Sequence, residues 1–171
     1  MTKYNFRIAS PDDMPGIFKV MENVGYIAKF YGGKSEEEVT PLLLGFLFGP
    51  ENNINAVICE TAVDGIIGYC LFGPYAQYIK PGFPEEKDDF AYCLGFGVLR
   101  TFQKRGLGTR VLVEAEPFAK KLGYKGMYTD VATDNTSSLR VQEKAGYERI
   151  GIFSDKKRPS GVNTVVFKKV F

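Results

Sequence analysis

Hydrophobic and polar positions along this chain change period several times, and each change marks an element. Residues 4–9 alternate, with Phe6 and Ile8 on one face, and predict a first strand. Met14, Ile17, Phe18, Met21 and Val24 then recur at helical spacing. That helix has a full start signal: Ser10 as cap, Pro11 in the first helical position, and Asp12 and Asp13 in the first turn. Gly25 ends it. Ser35, followed by Glu36, Glu37 and Glu38, is a second capping box, while Pro41 predicts a kink or a late start at Thr40. Residues 42–48 are apolar nearly all round, as expected of a buried element or one covering a ligand cleft, and Gly49-Pro50 closes them.

Residues 55–62 and 65–72 read as two strands joined by Val63-Asp64-Gly65, with Asp-Gly at the hairpin turn. Residues 73–88 are rich in prolines and charges and predict a long exposed loop. Residues 90–99 form the expected central strand, apolar on both faces, with Gly95 and Gly97 marking a bulge or a close backbone approach. A helix over 106–122 follows, with Pro117 expected to kink it and Gly123 at its C-cap. A strand over 126–132 leads to a helix capped by Asp134 or Asn135 and stopped at Gly146. Residues 147–153 and 162–170 are the last strands, around a polar turn at 154–161. Without repeats or linkers, this order predicts one α/β domain over residues 1–171. Its sheet is mixed and mostly antiparallel, with about seven strands flanked by four helices.

Composition narrows the chemistry. The 171 residues carry a net charge of +2, too little for the basic stripe of a nucleic-acid binder. Histidine is absent, which excludes Ser-His and Cys-His nucleophilic systems and removes the commonest zinc ligand, so no metal is expected. Cys59, Cys70 and Cys93 sit among apolar neighbours, as buried reduced thiols do. No apolar run approaches the length of a membrane span and the N-terminus has no signal-like core, so a cytoplasmic protein without a membrane partner is expected.

The candidate site lies at 98–112, where the central strand runs into Gln103-Lys104-Arg105-Gly106-Leu107-Gly108 and then a helix. Two glycines allow a tight turn, and the helix start offers unpaired N–H groups and a positive dipole end. Together with Lys104, Arg105 and Arg110, these features suit a phosphate or pyrophosphate. No Gly-x4-Gly-Lys-Ser/Thr segment exists, and Val111 stands where a dinucleotide fingerprint needs its third glycine. What remains is Gln/Arg-x-x-Gly-x-Gly/Ala between a strand and a helix.

That turn resembles the acetyl-coenzyme A loop of the Gcn5-related N-acetyltransferases (GNAT). A second stretch, Asn135-Thr136-Ser137-Ser138-Leu139-Arg140-Val141-Gln142-Glu143-Lys144-Ala145-Gly146-Tyr147, is similar to the family's Asn-containing helix. The resemblance covers residues 6 to about 167 and implies a GNAT-like domain that uses acetyl-CoA. It implies pantetheine along Phe96, Gly97 and Val98, with a backbone N–H near Phe96 supporting the oxyanion. It implies pyrophosphate on the N–H groups of Gln103, Lys104, Arg105, Gly106, Leu107, Gly108 and Thr109. Asn135 and Ser138 match pantetheine-contacting positions, and Lys144 could reach the adenosine end or be a solvated lysine.

Two positions depart from the family pattern. Gln142 occupies the place of a tyrosine acid and cannot supply a proton at useful pH; Tyr92 occupies the place of a carboxylate base. A proton route through water to Asp88, Asp89 or Glu60, or Tyr92 as acid, is the expectation that follows. Cys93 and Tyr147 read as core. The helix from Ser138 to Lys144 looks closest to protein N-terminal acetyltransferases, and the acids Glu85, Glu86, Asp88 and Asp89 would suit a cationic acceptor or simply solubilise their loop. The expected reaction is acetyl transfer from acetyl-CoA to a primary amine, either a small amine or a protein N-terminus or lysine. The alternative is a CoA-binding sensor without catalysis. Edge strands in the C-terminal half make a homodimer an expectation.

Overall fold

The computed structural model describes residues 2–32, 34–80, 82–85, 89–154 and 162–171. Seven strands form one sheet: β1 (Asn5–Ile8), β2 (Asn55–Thr61), β3 (Gly65–Pro74), β4 (Phe90–Val98), β5 (Gly126–Ala132), β6 (Glu148–Phe153) and β7 (Thr164–Val170). Their order is β1-β2-β3-β4-β5-β7-β6. Among the described residues only β4 and β5 pair in parallel, so the sheet is mixed and mostly antiparallel, as the order of elements predicts.

Six helices accompany it: α1 (Met14–Asn23), α2 (Tyr26–Tyr31), α3 (Glu36–Phe48), α4 (Tyr75–Tyr78), α5 (Leu107–Lys121) and α6 (Thr136–Lys144). Four were expected; α2 and α4 are the additions. Gly25, at φ 80°, does end α1, but the chain re-enters a helix at once. The Ser35 box is formed: the Glu38 N–H donates to Ser35 Oγ and the Ser35 N–H to Glu38 Oε2. That box lets α3 begin at Glu36 and run through Pro41, so the late start at Thr40 does not occur.

The segment expected to be an exposed loop is partly built in. Gly73 and Pro74 extend β3, Tyr75 is fully buried, and its hydroxyl donates to the Pro84 carbonyl at 2.6 Å. Its aromatic rings pack under the sheet rather than facing water. Glu86 and Asp88, and most of the expected turn at 154–161, lie outside the described residues.

The two faces of the sheet carry different layers. On one, α1 packs on β3, with Gly16 against Ile66, while Gly97 faces Val24 and the Tyr69 ring. On the other, Gly68 faces Val111 of α5, and α6 lies beside α5. Cys59, Cys70 and Cys93 are buried and unbridged, and Tyr147 is buried with its hydroxyl on Met127 Sδ, so the core readings hold. Among the described residues no helix is long and apolar enough to cross a membrane.

Candidate active site

The site begins with an irregularity in β4. Leu71 pairs with Gly95 but Phe72 pairs with Cys93, so Leu94 is an extra residue opposite β3. A bulge of this kind bends its strand and ends pairing on the far side. Here β4 and β5 pair from Phe90↔Gly126 to Cys93↔Thr129 and then part, although β4 continues to Val98 and β5 to Ala132. The expected bulge is therefore present, and it opens a fork between two parallel strands.

The open edge carries backbone hydrogen-bonding groups. The Leu99 N–H donates to the Ile67 carbonyl at 2.9 Å, which fixes the alternation of the β3–β4 ladder. Gly97 and Gly95, opposite Tyr69 and Leu71, then use their backbone groups toward β3, while Phe96 and Val98 turn theirs into the fork. The Val98 carbonyl bears this out by accepting a 2.9 Å hydrogen bond from Gln103 Nε2. The Gln103 side chain thus ties the turn to the strand, and its backbone N–H donates to the Arg100 carbonyl at 3.2 Å, so the expected Gln103 amide is already used and the free amides of the turn begin after it.

The turn itself is wound to present N–H groups. Lys104 has φ 61° and Gly106 φ 75°, two left-handed residues separated by Arg105. Such alternation turns successive amides toward one concavity. Arg110 N–H makes the first helical bond, to the Gly106 carbonyl at 3.2 Å, and the N–H groups of Leu107, Gly108 and Thr109 precede it at the start of α5. The Arg105 guanidinium lies over the Phe102 ring at 5.5 Å. Arg110 does not join this turn: it packs over Tyr4 and Phe6 and pairs with Glu114, facing the β1 edge. A fork with a free strand edge, running into a cationic concavity of amides, fits an extended ligand with an anionic end.

On the α6 side, Asn135 caps the helix by accepting from the Ser138 N–H at 3.1 Å, so Asn135 Nδ2 and the Ser138 hydroxyl are the groups left facing outward. Lys144 is exposed on the far end of α6. Gln142 is fully buried and donates through Nε2 to Thr129 Oγ1 at 3.2 Å, while its Oε1 has no partner. This contact sits at the last β4–β5 rung, on the α5 face.

The remaining proton-carrier candidates are dispersed. Asp89 lies seven residues from Phe96, at the other end of β4, roughly 20 Å away at strand spacing, and its carboxylate pairs with Lys125 at 2.6 Å. Glu60 is held by Arg7 and Asn5 near the β1 edge. Tyr92 is buried on the α1 face and donates its hydroxyl to Asp130, which also pairs with Lys80 at 2.7 Å. Burial, with the Asp130 charge beside it, pushes the Tyr92 phenol far above its ordinary value. The phenol is therefore a fixed donor to Asp130. Asp130 is the residue that sequence reasoning missed: its partners come from 38 and 50 residues away, and nothing local distinguishes it. Cys70 and Cys93 touch at 3.8 Å, and that hydrogen bond together with burial raises the Cys70 thiol well above its usual range.

Residues 22–147 match the acetyltransferase (GNAT) family. The chain belongs to that family. Comparison with curated protein sequences returns no match. Among solved structures, the chain is similar to a Salmonella typhimurium protein solved with its cofactor acetyl-CoA (16% identity, 98% and 93% of the two chains, TM-score 0.73). A ribosomal-protein-alanine N-acetyltransferase from Brucella melitensis is similar over 98% and 99% of the chains (16% identity, TM-score 0.72). A spermidine N-acetyltransferase chimera from Vibrio cholerae and hSSAT is similar over 99% and 96% (16% identity, TM-score 0.75). These likenesses establish the GNAT fold for the whole chain. The acceptors named for the last two differ widely, so the fold alone does not select one.

Proposed function

We propose that this GNAT protein transfers the acetyl group of acetyl-CoA to a primary amine by direct attack on the thioester. The observation that carries the reading is the forked edge of β4, opening straight into the concave turn at the start of α5. Acetyl-CoA supplies the activated acyl group. Phe96 and Val98 offer the backbone edge for its pantetheine arm, with Asn135 Nδ2 and the Ser138 hydroxyl on the opposite wall. The amides from Lys104 to Thr109 take the pyrophosphate, with Lys104 and Arg105 supplying charge.

The Phe96 N–H, unneeded by β3, points into the fork and donates to the oxygen that gains charge as the amine nitrogen bonds to the acetyl carbon. The amine approaches from the α1–α2 face beside Gly95, where Tyr26 stands at van der Waals distance from the space a Gly95 Cβ would fill. Its proton leaves through water, because Asp89 and Glu60 are both paired and remote.

A thiol-release assay over small amines, polyamines, peptide N-termini and lysine peptides tests this. Acetyl-CoA should stabilise the protein, and at least one acceptor class should release CoA with the matching acetylated product. Failure of acetyl-CoA to bind, or binding with no transfer to any amine, refutes the reading.

A further inference from the structure

Beside Gly95 the wall of the site is α2, and the spacing of its aromatic residues decides what that wall can hold. Tyr26 and Phe30 are four residues apart, so they share one face of the helix, while buried Ile27 anchors α2 on the core. The Tyr26 ring reaches β4, with its Cε2 3.9 Å from the place of a Gly95 Cβ. The Phe30 ring packs on Tyr26, their centroids 4.5 Å apart and their planes tilted by 41°. Phe30 is 57% exposed, and among the described residues no other aromatic side chain is so open to water. The two rings therefore lead from the strand out to solvent. The charges around them do not suit a cationic guest. Lys29 already holds its ammonium 5.0 Å from the Phe30 ring centroid. Asp130, which Tyr92 bonds on this same face of the sheet, is paired with Lys80 at 2.7 Å. Burial pushes the Tyr26 phenol up to about 12, so it carries no negative charge at neutral pH. What the rings offer is flat apolar surface.

We propose that Tyr26 and Phe30 form a stacking platform for the acceptor, and that the acceptor is a primary amine bearing an aromatic ring. The inference rests on the acetyl-transfer reading and names the acceptor class for that same site. The amine stands beside Gly95, and its ring lies along Tyr26 onto Phe30, covering apolar surface that water now meets. The nitrogen bonds to the acetyl carbon as the carbon–sulfur bond breaks. The electron pair of that bond goes to sulfur, and the proton the amine loses reaches sulfur through water. The platform takes no part in this exchange. It holds the substrate equally before and during reaction, so its effect falls on KM and leaves kcat aside.

The test is steady-state thiol release at saturating acetyl-CoA with two sets of acceptors. One set is phenethylamine, butylamine and spermidine; the other is a peptide starting with Phe and the same peptide starting with Ala. The proteins are wild type, Phe30→Ala and Phe30→Tyr, each checked by thermal melting. In at least one set wild type should favour the aromatic acceptor about fivefold or more in kcat/KM, the size of one stacking contact. The set that shows the preference tells a small amine from a peptide N-terminus. Phe30→Ala should cut that preference about fivefold through KM, and Phe30→Tyr, which keeps a ring, should retain it. Transfer to butylamine, spermidine or the Ala peptide as efficient as to their aromatic counterparts, or transfer only to other acceptors without a ring, overturns the inference while leaving acetyl transfer standing. An undiminished preference in Phe30→Ala overturns it as well. Failure of acetyl-CoA to bind, or no transfer to any amine, overturns the acetyl-transfer reading and this one with it.

Discussion

The two glycines of the Gln103–Gly108 turn are not equivalent, and substituting each by alanine should separate them. Gly106 has φ 75° and ψ 1°, and a Cβ there would meet nothing within 4 Å. The cost of Gly106→Ala is therefore backbone strain alone, about 1–2 kcal/mol for an L-residue held left-handed. Gly108 sits in the first turn of α5 with ordinary dihedrals, and its Cβ would touch Val141 at 3.5 Å, a normal contact. Gly108→Ala should gain about 0.5 kcal/mol from helix propensity. In a chain of this size about 1 kcal/mol moves the melting temperature by about 2–4 °C. Gly106→Ala should thus melt about 2–8 °C below wild type, and Gly108→Ala about 1–2 °C above it.

Calorimetric titration with CoA should follow the same division. Relaxing the strain at 106 re-aims the amides of residues 107–109, and an affinity loss of about tenfold corresponds to ~1.4 kcal/mol. Gly108→Ala should keep wild-type affinity. A Gly106→Ala protein that melts at or above wild type, or a Gly108→Ala protein more damaged than it, would refute this account of the turn.

Two other perturbations probe separate parts of the structure. Phe96→Pro removes the N–H aimed into the fork without touching a β3 ladder bond, and should lower kcat about 10²–10³-fold relative to Phe96→Ala, which keeps that N–H; equal kcat values would remove the Phe96 amide from the mechanism. Arg7 bonds both Asp13 and Glu60, and these bonds hold both carboxyls below their ordinary values. Carboxylates lowered in the folded state stabilise above their unfolded values, near pH 4, and lose that contribution as pH falls through the folded values. Since Arg7 is 40% exposed, Arg7→Met should cost only about 1 kcal/mol at pH 7. The gap in melting temperature should shrink from about pH 4 toward pH 2, and a gap unchanged over that range would count against the triad.

Much of this architecture is legible in the chain because its signals are local. All seven strands follow from alternating or continuous apolar runs bounded by turn residues, and α5 from the glycine turn and apolar face that precede Gly123. The misses have physical causes. Gly25 looks terminal because a left-handed residue ends a helix, yet α2 starts from that same residue and is held by packing on α1. The loop after β3 carries polar and proline-rich composition while burying Tyr75, whose neighbours Tyr92 and Tyr128 arrive from other strands. Arg110 counts as site charge in one dimension, but its place on α5 turns it toward Tyr4 and Phe6. Gly95 and Gly97 announce a bulge; only the pairing itself reveals that Cys93 and Thr129 are the last rung, and so that Gln142 stands at its base.

The extra residue at Leu94 makes the ligand edge a matter of parity. Without it, β4 could stay in step with β3 along its whole length and go on pairing with β5 beyond Cys93, so the amides of Phe96 and Val98 would be spent inside the sheet. A deletion of one amino acid would thus turn a receptive seam into a continuous sheet without altering any side chain named in the chemistry. For a lineage carrying this domain, length along β4 is as much an inherited determinant of activity as any residue identity.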